Sequence, residues 1–191
     1  MNINQQYLVS VKKQFEYYKT LAEKAMDQLE PEQLFITFNE DSNSIAAIIK
    51  HMSGNMLSRW TDFLTTDGEK PDRNRDTEFE ISIQDKANIL QKWNEGWNCF
   101  FETFNQLESE QLGDIVYIRN ERHTVIEAIS RHLAHSAYHI GQIVFYAKQL
   151  KEGYWKSLSI PKNKSNDYNA GKFSTEKIIK NYTESELRRM K

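Results

Sequence analysis

The sequence predicts an all-α fold: an antiparallel up-down four-helix bundle with a small hairpin before the fourth helix. Three observations lead there. Glycine and proline number only 7 and 3 in 191 residues, too little turn punctuation for a sheet-rich chain of this length. Long segments carry apolar residues at spacings of three and four, the mark of amphipathic helices. Those segments are four in number and similar in length, as a bundle requires.

The first helix is expected from about Asn4 to Leu29. Tyr7, Leu8, Val11, Phe15, Tyr18, Ala22, Ala25, Met26 and Leu29 form its apolar stripe, and Pro31 ends it. Ser42, Asn43 and Ser44 offer N-caps for the second helix. That helix is expected to run to about Thr66 with Ile45, Ile48, Ile49, Met52, Met56, Trp60 and Phe63 on one face. Residues 67–76, rich in mixed charge with Gly68 and Pro71, read as a loop.

Ser82 followed by Asp85 begins the third helix, whose apolar face is Ile83, Ala87, Leu90, Trp93, Trp97, Phe100, Phe101, Phe104 and Leu107. Ile115 to Ile118 has strand character, and Arg119-Asn120-Glu121-Arg122 could turn it back. Thr124 with Glu127 is a capping box. The fourth helix is expected to reach about Glu152 on a seam of Ile126, Ile129, Leu133, Ser136, Ile140, Ile143, Ala147 and Leu150. Its period near 3.5 is that of near-parallel helix packing. The length suits one domain. The bundle is expected over residues 1–153, followed by an irregular C-terminal extension over 154–191 whose tail reads as a short helix or a frayed end.

Composition removes several function classes. The chain has 25 Lys+Arg against 27 Asp+Glu, a formal net charge of -2, which argues against a dedicated nucleic-acid binder. An aromatic content of 12% is too rich for a disordered chain. The lone cysteine, Cys99, excludes a disulfide framework and a cysteine metal cluster, and fits a reducing compartment. No apolar run nears a membrane span, and the first residues lack the signal-peptide pattern. The expectation is a soluble cytoplasmic protein that does not engage a membrane.

The histidines carry the chemical signal. His135 and His139 are four apart, so they share one helix face a turn apart and can share a metal ion. His132 lies three residues earlier on the same side. Three protein ligands with an open position is the usual catalytic arrangement. His51 is the only histidine in the other helices, flanked by the small residues Ala47 and Gly54, which leave room for a close approach. A lone histidine at a helix border is more often a hydrogen-bonded structural residue, so spacing alone leaves both readings open.

His132-Leu133-Ala134-His135-Ser136-Ala137-Tyr138-His139-Ile140-Gly141-Gln142-Ile143 resembles the last-helix motif of the DinB/YfiT-like superfamily, in which two histidines four apart precede Gly-Gln. Ile49-Lys50-His51-Met52-Ser53-Gly54-Asn55 resembles its second-helix histidine segment. The resemblance spans about Asn4 to Gly153. The stretch from Ser53 through Phe79, and Leu158-Ser159-Ile160-Pro161, are similar to a bacterial subgroup of uncharacterised function. The resemblance implies a divalent metal, nickel or zinc, held by His51, His135 and His139. It also implies kinship with transferases that use low-molecular-weight thiols such as bacillithiol, and with a thiol-dependent isomerase; family members are frequently homodimers. Some members place Glu after the first histidine of the pair, where this chain has Ser136. That glutamate would be the simplest general base for hydrolysis.

The leading expectation is therefore a metal-dependent thiol S-transferase acting on a small molecule. The alternatives are a metal-dependent hydrolase, or a non-catalytic metal-binding or stress-response module. A hydrolase needs a proton acceptor, for which His132, Glu127 and Asp62 are candidates. Arg59, Arg73 and Arg75 are candidates for an anionic cosubstrate, since arginine forks match carboxylates. Arg59 and Asp62 read equally well as a surface ion pair, and Asn55 as a donor supporting a ligand.

Overall fold

The computed structural model describes residues 1–82 and 84–190. Ile83, expected on the third helix's apolar face, and Lys191 lie outside the described residues. The fold is mostly helical, with four long helices, two short ones and one two-stranded sheet among the described residues. The long helices are α1 (Ile3–Met26), α2 (Ile45–Trp60), α3 (Lys86–Gln106) and α4 (Val125–Leu150); strands β1 (Ile115–Ile118) and β2 (Glu121–Thr124) precede α4. No described helix is long and apolar enough to cross a membrane.

Local chemistry fixes the helix starts. Asn2 and Gln5 form a capping box on α1, and Ser44 caps α2 through the Ala47 amide at 3.2 Å. Asp85, rather than Ser82, caps α3 by accepting from the Ala87 and Asn88 amides. Thr124 and Glu127 form the expected box on α4.

The second helix is shorter than its apolar pattern implies. It ends at Trp60, and Asp62 turns left-handed with φ 48. The Thr65 and Thr66 amides then bond back to the Asp62 carbonyl. Phe63 is still buried, so its apolar character extended the helical pattern beyond the helix.

The expected hairpin is present: Ile115 pairs with Thr124 and Ile118 with Glu121, antiparallel. Arg119 and Asn120 hold the turn at φ 56 and 61, and the Asp67 carboxylate accepts both of their amides at 2.8 Å. One core runs between the long helices. α2 packs on α3 and on α4, and α1 packs on α4. Phe15, Trp60, Trp93, Trp97 and Phe100 are its largest rings, all at most 1% exposed.

The α2–α3 contact is close because Gly96 faces Ser53: a Cβ there would lie 2.8 Å from the Ser53 Cα. α2 is buried nearly all round, 13 of its 16 residues being buried. Anything polar it carries is therefore held deep in the molecule. α4 buries Val125, Ala128, Ile129, His132, Ser136, Ile140, Ile143 and Ala147. Its seam is rotated from expectation at its start: Ile126 is 38% exposed, and His132 is fully buried while Leu133 is only half-buried against the core.

After Gly153 the chain carries α5 (Ser165–Phe173) in a stretch that reads as surface loop, and α6 (Tyr182–Met190) in the tail, where a short helix is one of the two readings. α6 docks on α1: Thr183 is fully buried, Lys13 pairs with Glu184, and Tyr17 meets Tyr182 edge-on at 6.2 Å.

Candidate metal centre

α2 supplies His51, and one face of α4 supplies His135 and His139 a turn apart. Each offers a ring nitrogen, and the three nitrogens lie within 4.8 Å of one another. His51 Nε2 and His135 Nε2 are 3.2 Å apart. The rings meet edge-to-face, with centroids 4.5 to 5.3 Å apart.

For two of the three rings the remaining nitrogen sets the tautomer. His51 Nδ1 donates to Glu78 Oε2 at 2.8 Å, which leaves the Nε2 lone pair toward the cluster. His139 Nδ1 likewise donates to Gln142 Oε1 at 2.8 Å. Such outer hydrogen bonds orient histidine ligands and raise their basicity. Burial, then the neighbouring His139, His51 and Arg59, drives the His135 pKa down to about 3. Burial also lowers His139. A divalent metal takes histidine in its neutral form, and the three ring nitrogens lie close enough together to share one ion, so the donor set fits such an ion.

Glu78 is the residue that sequence reasoning missed. It sits in a 3-10 turn, Asp76–Phe79, outside every helical pattern. Arg73 grips its carboxylate at 2.8 and 3.0 Å. Burial pushes the carboxyl pKa up, but the hydrogen bonds from His51 and Arg73 outweigh it and leave the group below its ordinary value. Gly54 makes the arrangement fit: a Cβ there would lie 2.8 Å from the Glu78 carboxyl carbon and overlap its oxygen. The room that Ala47 and Gly54 were expected to leave is used by this carboxylate. Phe79 stacks on His51 at 5.0 Å.

The cluster borders a cavity of about 410 Å³. It is lined by the three histidines, by Asn55, Phe79, Tyr138 and Gln142, and by five arginines: Arg59, Arg73, Arg75, Arg119 and Arg131. No described carboxylate lines it.

The candidate bases are not brought there. His132 is 1% exposed and enclosed by Phe15, Trp60 and Phe100 at 5.0 to 5.3 Å. Neither of its nitrogens has a hydrogen-bond partner, and burial holds its pKa well below the ordinary value. It is a core ring beneath His135, outside the three-nitrogen cluster. Glu127 is exposed and its carboxylate is used by the Thr124 cap. Asp62 lines a different depression, with Thr61 and Lys70.

The arginine candidates divide. Arg73 is taken by Glu69 and Glu78. Arg75 lies over Phe79, with its guanidinium carbon 5.2 Å from the ring centroid. Arg59 is buried in α2 at 5% exposure, so the expected surface pair with Asp62 is corrected: the side chain turns inward from a helix with almost no outer face. Asn55 lines the cavity with its buried Oδ1 unpartnered, and no hydrogen bond joins it to a described histidine. Cys99 is half-buried and 3.6 Å from Thr61 Oγ1, away from the cluster.

No curated protein and no solved structure matches the chain. Residues 2–164 match the family described as "Protein of unknown function (DUF1572)", and the chain belongs to that family.

Proposed function

We propose that His51, His135 and His139 hold a divalent metal, nickel or zinc, and that the protein is a transferase acting on a low-molecular-weight thiol such as bacillithiol. The proposal extends to the architecture: the four long helices form an antiparallel up-down bundle of the DinB/YfiT-like kind. A cytoplasmic setting goes with it, because Cys99 is a free thiol and small thiols are kept reduced there. The partners proposed are a small-molecule substrate and a second copy of the chain, with no nucleic acid and no membrane.

One observation carries the reading: three inward-facing imidazoles border a cavity that no described carboxylate lines. A bound metal would supply a Lewis-acidic position that favours a thiol's thiolate form, the nucleophile of such transfers. The chain's own part is to hold the ligands and seat the substrate. Glu78 and Gln142 fix the His51 and His139 rings, and Phe79 and Tyr138 offer apolar walls. A thiol can release its proton to solvent at the cavity mouth, where Arg75, Arg131 and Tyr138 are exposed. Hydrolysis would need a proton acceptor beside the attacking water, and His132, Glu127 and Asp62 all lie elsewhere.

The test is metal analysis of tag-free protein, followed by titration of the cobalt form with a small thiol. Sulfur-to-cobalt charge-transfer absorption is expected. Absence of bound metal, or a spectrum unchanged at millimolar thiol, would overturn the reading. Turnover of esters or amides without thiol would assign a hydrolase instead.

A further inference from the structure

The cavity's other wall is cationic beyond what its neighbours neutralise. Arg59 is 5% exposed, its Nε is buried without a hydrogen-bond partner, and no described carboxylate lies within salt-bridge distance of it. A buried guanidinium left so is costly unless something anionic completes it. Burial first, then the neighbouring Arg131 and Arg73, lower its pKa to about 10 against the opposing pull of Glu69.

Arg131 lines the same cavity, one helical turn before His135 on α4. Its Nη1 lies 3.3 Å from His123 Nε2, a neutral partner at most. Arg119, at the hairpin turn, adds a third guanidinium. Its side chain is 56% exposed and touches Glu69 at 3.4 Å, a carboxylate already shared with Arg73. These three come from α2, the hairpin and α4, and are distant in sequence. The fold converges them beside the histidine cluster, while Glu78 pairs with Arg73 and Glu69 is shared between Arg73 and Arg119.

We propose that Arg59, Arg119 and Arg131 form an anion-binding subsite that seats a carboxylate or phosphate group of the substrate, with the substrate's reactive end toward His135. The proposal deepens the transferase reading of the same cavity: the thiol or its acceptor is an anionic molecule. Arginine forks suit either anion because their paired N–H groups match two oxygens at once. Planar geometry and a buried, already desolvated guanidinium favour a fixed pose over loose attraction.

The experiment is calorimetric titration of metal-free, thiol-free protein with inorganic phosphate and, separately, with malonate. Ionic strength is fixed with sodium chloride, at a pH above the imidazole range. Saturable binding of at least one anion is expected, and the tighter of the two tells phosphoryl from carboxylate. Arg59→Met and Arg131→Gln should each weaken it about tenfold or more, the loss expected for a hydrogen bond to a charged group. Arg131→Lys should restore part of it. Arg131 is exposed, so its variants keep the test valid if Arg59→Met does not fold. No saturable binding of either anion, or unchanged binding in the Arg131→Gln protein, overturns the proposal. With neither metal nor thiol present, failure here leaves the metal–thiol reading standing, and failure of the cobalt titration leaves this one standing.

Discussion

His51 Nδ1 donates to Glu78 Oε2 at 2.8 Å, and both side chains are less than a tenth exposed. This hydrogen bond fixes which nitrogen of His51 faces His135. It also ties a long loop to the centre of α2. Arg73 holds both oxygens of the carboxylate, so the histidine's orientation depends on three residues in two segments.

Replacing Glu78 by Gln should therefore lower metal affinity by roughly 10- to 100-fold, the usual cost of removing such an outer partner. The amide can still accept from His51, but it carries no charge and loses half its pairing with Arg73. Competition with a chromophoric chelator measures it. Unchanged affinity would mean that Glu78 serves only the ion pair with Arg73.

His139→Ala should abolish tight metal binding and leave helix content intact. The core seam of α4 runs through Ile140 and Ile143, whereas His139 is only half-buried. Metal content and circular dichroism on the same tag-free sample decide it. Full metal occupancy in the variant would show that the triad is wrong.

The two tight glycines should separate site from fold. Gly96→Ala presses a methyl on the Ser53 backbone, and overpacking of that kind costs about 1–3 kcal/mol. Gly54→Ala instead displaces the Glu78 carboxylate, so metal affinity should fall more than stability does. Chemical denaturation and chelator competition on both variants check the contrast, which equal effects would remove.

The metal-free protein should be labile to acid. His132 has its folded pKa depressed, while in the unfolded chain it titrates near the ordinary value of about 6.5. Above that pH both states are neutral and the group contributes nothing. Below it only the unfolded chain takes the proton, so stability falls by about 1.4 kcal/mol per pH unit for this residue. His135, depressed to about 3, adds in the same direction. Glu78 adds a further loss: its folded pKa is also low, so its stabilisation is present above the unfolded value and vanishes as pH falls through the folded one.

His132→Leu should remove one histidine's share of that slope and raise stability near neutral pH. It replaces a buried ring whose nitrogens have no partners with an apolar side chain. Denaturant melts across the acid range provide the readout. A slope identical to the parent's would show that His132 is not held neutral, and loss of thiol binding would return it to the site.

The sequence by itself determined what depends on a few consecutive residues. The Thr124–Glu127 box fixes the start of α4, and the helical period puts His135 and His139 on one face whatever surrounds them. The strand-turn-strand character before α4 and the apolar stripes of the long helices were legible for the same reason. Tertiary structure alone decided the rest. Which side of α4 faces inward by one residue buried His132 fully and left Leu133 half-buried against the core, a difference that helical spacing cannot resolve. The left-handed Asp62 ended α2 where the apolar pattern continued. Glu78 lies 27 residues from His51 in a segment with no periodicity, and Arg59, Arg119 and Arg131 meet only because α2, the hairpin and α4 pack around one cavity. The sequence makes Arg59 a candidate for an anionic cosubstrate, but not Arg119 or Arg131, and only long-range packing lines one cavity with all three.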